Sequence, residues 1–440
     1  MDFLNDDCHS IYRRYLVPTL GSALVVSIYS FVDTIAVGQY AGPVGSAAIA
    51  VINPVYVLQF FIAMLCASGG SIHLGCAKGA GKNKEANNYF TVSVIAVSII
   101  TCIMWIVFEI NTEGILRLLG ADGEVLDAAM EYGKVIIHAF PVIVAPDFLG
   151  AYLRIDHDPK RALGAVVTGS CLNMFLDWLL VFPVNLGMRG AALATAIGNA
   201  LQTGIMLTHF VSKANHLELI KPFYFKRTAS EIIRTGISSS FLDLGNVILL
   251  VLTNNQMQKY GGESGMAAWG VVNTTAVFAQ ALFTGGGQAI QPAVAENYGA
   301  GKIKRTQSFL YLAVRTSLLL SAVFTLIGEM FPVQITRIFM KATPEVLTVA
   351  SPMIRTYYLS FPFLSLNVLS TYYLQAVMEN KISLRVALTR SLFLPCVLLI
   401  ELPLIFQMKG VYSAVPVSEL CVFLWQYWYY REKMHLSFRK

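Results

Sequence analysis

The sequence predicts an all-α integral membrane protein, with twelve transmembrane helices in two six-helix bundles related by a pseudo-twofold axis along the membrane normal. Three observations predict it. Apolar residues make up 55% of the 440-residue chain and charged residues only 13%, about half the charge of an ordinary soluble domain. The apolar residues fall in long runs that do not alternate, which excludes a closed β-barrel. The second half of the chain also restates the first at an offset of 220 residues.

A spanning helix needs ~20 mostly apolar residues. Such runs lie at 14–38, 47–73, 88–110, 128–152, 162–184, 190–212, 232–256, 266–294, 308–331, 347–377, 384–405 and 410–430. No charged segment with a short apolar core and a small-residue cleavage site opens the chain, so no removable signal peptide is expected. Basic residues set the orientation. Clusters such as Lys78, Lys82 and Lys84, or Lys302, Lys304 and Arg305, fall on one side, together with Lys381, Arg385 and Arg390. The opposite segments hold only Arg117, Arg189, Lys259, Arg337, Lys341 and Lys409. Both termini are therefore expected in the cytoplasm of a multi-pass plasma-membrane protein. The net charge of +6 belongs to these loops and is no nucleic-acid footprint. Six of the seven cysteines (Cys66, Cys76, Cys102, Cys171, Cys396, Cys421) lie in or beside spans without metal spacing and read as small apolar residues.

The repeat is explicit. AGPVGSAAIAVIN (41–53) aligns with GGESGMAAWGVVN (261–273), and GAGKNK (79–84) with GAGKIK (299–304), both at 220. Phe140 and Pro141 align with Phe361 and Pro362 at 221. Each half thus holds an even number of spans, six, so both enter from the same side and the repeat is parallel. The organisation expected is a bundle at 1–212, a basic cytoplasmic linker at 213–231 and a second bundle at 232–440, facing each other across a cleft as alternating access requires. Pro141 and Pro362 should kink matching helices. Gly69–Gly70 and Gly285–Gly287 should allow close packing, and WQYWYY (425–430) reads as an interfacial belt.

Charges inside spans are expensive and mark function by default. Asn173 and Asp177 stand one turn apart on one helix face. At offset 220 Asp33 meets Thr253, Asn173 meets Phe393, Asp177 meets Val397 and Thr195 meets Val415, so these polar groups exist in the first half only. By count along the spans, Asp33, Asp177 and Thr195 lie at one depth, ~8–10 Å below the outer surface. Two carboxylates, an amide oxygen and a hydroxyl form a site for a proton or a sodium ion, since neighbouring carboxylates do not both stay charged cheaply. Asp147, Asp243 and Glu419 are candidates for the substrate cleft, against a plainer reading as helix–helix hydrogen bonds. Glu401 can snorkel to the interface, and His138 reads as a satisfied bundle residue.

YSFVDTIAVG (29–38), SIHLGCAKGAGK (71–82), RIDHDPKRA (154–162), LNMFLD (172–177), LGMRGAALAT (186–195) and QPAVAENYGAGK (291–302) together resemble the multidrug and toxic compound extrusion (MATE) transporters over almost the whole chain. The resemblance implies twelve helices in two bundles and export of organic, often cationic, compounds against entry of sodium ions or protons. The family's cation site carries over onto Asp33, Asn173, Asp177 and Thr195. Two departures stand out. His157 occupies a loop position where the family more often has glycine, and the second half lacks a clear acidic pair.

The function expected is a secondary antiporter, a monomer in the lipid bilayer acting on small organic substrates. No cofactor is expected beyond the coupling ion, and no nucleic-acid partner. GAGKNK has no hydroxyl residue after its lysine, so it is no Walker A loop. A flippase for lipid-linked saccharides is the alternative. It should carry clustered deep cations for a pyrophosphate, and apart from Arg315 and Arg355 the spans look poor in them. A major-facilitator carrier lacks support in the LGCAKGAGKNKE loop. An enzyme would need more than His9 with Asp6 and Asp7, or His157 between Asp156 and Asp158, neither of which has a nucleophile.

Overall fold

The computed structural model describes residues 2–340 and 343–437, with the backbone alone for 242–244 and 430–437. The described residues are helical and contain no strand. The helices are α1 (Cys8–Gly79), α2 (Asn83–Ile110), α3 (Thr112–Leu118), α4 (Gly123–His138), α5 (Phe140–Ile155), α6 (Pro159–Val181), α7 (Gly187–Leu207), α8 (Phe225–Gly299), α9 (Ile303–Met330), α10 (Pro332–Phe339), α11 (Pro344–Tyr358), α12 (Phe361–Ala376), α13 (Asn380–Leu388), α14 (Leu394–Phe406) and α15 (Met408–Ser437). Among the described residues, seven helices are long and apolar enough to cross a membrane, and eight if the bent pair α4–α5 counts as one span. Large apolar side chains such as Ile103, Leu319 and Leu404 are exposed along them. A medium that accepts this surface is lipid, not water.

The expected spans 14–38 and 47–73 lie end to end in α1, and 232–256 and 266–294 in α8, each pair meeting at a kink. A 72-residue helix measures about 108 Å at 1.5 Å per residue, far beyond the ~30 Å hydrocarbon core, so α1 and the 75-residue α8 are each too long for a single crossing. The break is a single glycine in each: Gly42 at φ 59°, ψ −143° and Gly262 at φ 56°, ψ −153°. A side chain would be strained there, whereas glycine is not. Conversely, 128–152 splits into α4 and α5, bent by 54°, and 347–377 into α11 and α12. The breaks fall just before Pro141 and Pro362, whose nitrogens cannot donate to the preceding turn. Further left-handed positions repeat between the halves: Gly81 with Gly301 at the same offset, and His157 with Met378 at 221.

Contacts divide the chain into two units, Met1–Ser240 with Gln291–Thr306, and Phe241–Ile290 with Gln307–Lys440. In the first unit the segment 213–231 is fastened rather than loose. Asn88 accepts from the Phe223 N–H at 2.9 Å and donates to its carbonyl at 3.1 Å. Thr91 Oγ1 accepts from the Ile220 N–H at 3.0 Å, and the Tyr89 hydroxyl donates to Glu231 at 2.6 Å. Small residues bring backbones together: a Cβ on Gly69 would collide with the Ile232 carbonyl, and one on Gly236 with the Leu65 carbonyl. Likewise Gly79 abuts the Glu296 carbonyl and Gly299 the Cys76 carbonyl. In the second unit Phe283, Phe324, Tyr357 and Tyr358 all pack on the ring of Phe361.

Candidate ion-coupling site

In the first unit α6 and α7 pack through glycine. A Cβ on Gly198 would stand 2.9 Å from the Asn173 Cβ, and one on Gly169 2.6 Å from the Gly198 carbonyl oxygen. That close approach brings Thr195, one turn before Gly198, within reach of Asn173, whose Nδ2 donates to Thr195 Oγ1 at 3.4 Å. Asp177 follows Asn173 by one turn and is fully buried. From α1, Asp33 accepts a long hydrogen bond from the Tyr132 hydroxyl of α4 at 3.5 Å. Tyr132 in turn shares a 2.9 Å hydroxyl–hydroxyl bond with Tyr56. Asp33 and Asp177 are close enough to interact as charges, and Tyr29 stands within electrostatic reach of both and of Asp147. The structure thus gathers all four expected residues in one part of the first unit.

What distinguishes this group is its surplus of acceptors. Both carboxylate oxygens of Asp177, one of Asp33 and the amide oxygen of Asn173 are buried without a hydrogen-bond partner among the described residues. Buried oxygens left so cost ~1–3 kcal/mol each. Oxygen acceptors of this kind have the chemistry to take a proton or a hard cation, which prefers oxygen ligands. Among the described residues no cluster of three or more His, Cys, Asp or Glu could hold a metal ion. The donor set accordingly fits sodium or a proton and not a thiolate- or imidazole-seeking metal.

The cleft candidates fare differently. Asp147 lies on an exposed face of α5. The Asp243 side chain lies outside the described residues. Glu419 is 2% exposed and engaged in hydrogen bonds between helices, the plainer of the two readings offered for it. Its Oε1 takes Arg390 Nη2 at 2.8 Å, and its Oε2 takes Asn367 Nδ2 at 2.7 Å. Gln426 donates to Asn367 Oδ1 at 2.7 Å, and the Ser370 hydroxyl closes the network on Gln426. Arg390, grouped by sequence with the cytoplasmic loop charges, is a deep cation. It sits on the π-turn Thr389–Phe393 between α13 and α14, and a π-turn re-aims one side chain relative to the α-helix around it.

Sequence reasoning therefore missed Arg390, Tyr132 and Tyr56. Half-to-half comparison could have found them: Arg390 meets Ser170 at 220, Tyr56 meets Ala276 at 220, and Tyr132 meets Met353 at 221. The flanks of His157 are also spoken for. Asp156 holds Lys78 at 2.7 Å and His209 Nε2 at 2.9 Å, and Asp158 holds His209 Nδ1 at 3.1 Å and Arg161 at 2.8 Å. Burial works against the Asp156 charge, but His209, Lys78 and the His216 N–H outweigh it and hold the carboxyl below its ordinary range.

A family model described as MatE matches residues 18–179 and 244–399, one stretch in each half of the repeat. The probable multidrug resistance protein YoeA of Bacillus subtilis (strain 168) is 24% identical over 353 residues, covering 75% of this chain and 74% of its own. The multidrug export protein MepA of Staphylococcus saprophyticus is 22% identical over 407 residues, 91% of this chain and 87% of its own. Among solved structures, an outward-facing multidrug resistance MATE family transporter of the MOP superfamily superposes with a TM-score of 0.92 at 20% identity, over 100% of this chain and 98% of that one. A MOP superfamily transporter from Pyrococcus furiosus, described as having a binding pocket of reverse polarity that suggests a different function, gives 0.89 at 20% identity over 98% and 97%. Two matched halves, an all-helical membrane fold and superposition over the whole length lead to one conclusion: this chain belongs to the MatE family of membrane transporters.

Proposed function

We propose that the protein is a secondary antiporter that exports organic, chiefly cationic and amphipathic compounds in exchange for protons or sodium ions by alternating access. The observation that carries this reading is the set of orphaned acceptor oxygens on Asp33, Asn173 and Asp177. The division into bundles 1–212 and 232–440 joined by 213–231, the cytoplasmic termini, the plasma-membrane location and the monomeric state belong to the same proposal. The relatives' names, multidrug resistance and multidrug export proteins, favour the substrate class.

In this mechanism an inward-open state takes up the compound. After the swing outward, an ion entering from outside meets Asp33 and Asp177, with Asn173 and Thr195 as neutral oxygen ligands. Its charge lets the carboxylates approach without repulsion, so the surrounding helices repack and the compound is released. Exchange requires that ion and compound favour different states, since equal affinity for both states shifts nothing. Asp147, on an exposed face near Tyr29, would attract a cationic compound. The flippase alternative gains nothing from Arg390, whose charge is already met by Glu419. The test is ethidium efflux from proteoliposomes with proton and sodium gradients imposed separately. Efflux driven by one gradient supports the reading, and no gradient-driven efflux of any cationic compound returns the flippase.

A further inference from the structure

Phe3 has no exposed surface. Its ring packs on Tyr15 (5.3 Å between centroids) and on His157 (4.3 Å). Its carbonyl accepts from Asn297 Nδ2 at 3.0 Å and Arg305 Nη2 at 2.9 Å. Arg305 also reaches the Asp6 carbonyl at 2.6 Å, and Lys302 Nζ reaches the Leu4 carbonyl at 2.9 Å. Asp2 braces the segment from within, accepting from the Leu4 N–H at 2.8 Å and from Asn5 Nδ2 at 2.6 Å.

The first half makes no such use of its equivalent run. At the positions of Asn297, Lys302 and Arg305 it has Ala77, Lys82 and Glu85, and Lys82 pairs with Glu85 at the surface. His157 is equally pointed. Its φ of 66° suits glycine, and a histidine there must be held by what it touches. It touches Phe3, with Glu296 4.0 Å away. On the same stretch of α8 that holds Glu296 and Asn297, Gly79 and Gly299 let the ends of α1 and α8 meet backbone to backbone. The clasped stretch 291–306 belongs to the first unit, while 241–290 of the same α8 belongs to the second.

We propose that residues 2–6 form a latch, with Phe3 and His157 as gating residues, that holds the inner end of α8 to α1 and must release before the cytoplasmic side opens to substrate. This rests on the antiporter reading with cytoplasmic termini. The latch is built from backbone carbonyls and one ring, so it can let go and reseat without breaking a covalent or metal bond.

Cys76 is the built-in reporter. Its carbonyl lies against Gly299, its side chain is half-buried and desolvation pushes the thiol up to about 12, so a maleimide attacks it slowly while the latch is shut. The experiment alkylates the full-length protein in membrane vesicles with an impermeant maleimide from either face and reads Cys76 by peptide mass spectrometry, with no ion gradient imposed. Phe3→Ala and His157→Gly should each speed Cys76 labelling from the cytoplasmic face by about tenfold or more. His157→Gly should do so with an unchanged or higher Tm, because glycine relaxes at this φ. Labelling at the wild-type rate in both variants overturns the latch, as does acceleration from the outer face alone. The readout needs no transport, so failure of ion-driven efflux would count against the antiporter reading and leave this result standing.

Discussion

In the first unit Asp177 is buried with both oxygens unpartnered among the described residues. In the second, Glu419 is buried just as deeply but is met by Arg390 at 2.8 Å and Asn367 at 2.7 Å. Both carboxylates lie on helices of homologous halves, so ancestry does not explain the contrast. A charge with its counter-charge built in is locked: taking one partner away leaves the other buried and unpaired. A site of acceptors alone responds to whatever cation arrives. On the proposed reading the two halves divide the work: the first offers unpartnered acceptors to an ion, and the second holds a paired cross-brace between α12, the π-turn Thr389–Phe393 and α15.

The largest expected effect is functional. Asp177→Asn should cut gradient-driven ethidium efflux by about 100-fold or more while leaving Tm near wild type, because the wild-type carboxylate has no partner to lose. Unchanged efflux would break the comparison on its first side. Next in size, Glu419→Gln should destabilise the protein by ~3–5 kcal/mol by stranding Arg390, read as thermal unfolding. The double variant Arg390→Met with Glu419→Gln should recover most of that loss and retain gradient-driven efflux. If the double variant folds but loses ion coupling, the brace is itself a coupling site.

A smaller effect separates the membrane interior from the inner surface. Burial, with Lys78 assisting, lowers the His157 pKa to about 4, against the pull of Asp156. The unfolded chain takes up this proton near pH 6.5 and the folded chain does not, so the contribution of His157 to stability falls as pH drops from 6.5 towards 4. Between pH 7 and 5 the loss is about 2 kcal/mol, and His157→Gly should remove that part of the pH dependence of Tm. Smallest, Asn173→Ala or Thr195→Val should raise the ion concentration for half-maximal efflux by about tenfold, ~1.4 kcal/mol, since each removes one neutral oxygen ligand and no charge.

Much of this was legible beforehand, for stated reasons. The spans are legible because lipid demands long apolar runs. The repeat is legible because left-handed glycines are not interchangeable, and Gly42 with Gly262 and Gly81 with Gly301 keep both their spacing and their φ. The adjacency of Asn173 and Thr195 follows from helix periodicity plus the small residues at 169 and 198. Arg390 was hidden because it lies six residues inside a span that opens with Lys381 and Arg385, and charge counting is blind to which way a π-turn points a side chain. Tyr132 was hidden because aromatic residues are ordinary in spans, and only its hydroxyl contact with Asp33 singles it out. The break in α1 was legible because AGPVGS looks like a turn, and Gly42 within it is where two helices meet across a kink. Phe3 was hidden because nothing in the short stretch 2–6 reveals the partner it docks on.

The central claim is that ion coupling resides in the first unit and not in the second. The most direct test is ethidium efflux from proteoliposomes under separate proton and sodium gradients, comparing wild type, Asp33→Asn, Asp177→Asn and the Arg390→Met/Glu419→Gln double variant. The account predicts that one gradient drives efflux in wild type and in the double variant and drives none in either aspartate variant. Unchanged, gradient-driven efflux in both aspartate variants would contradict it.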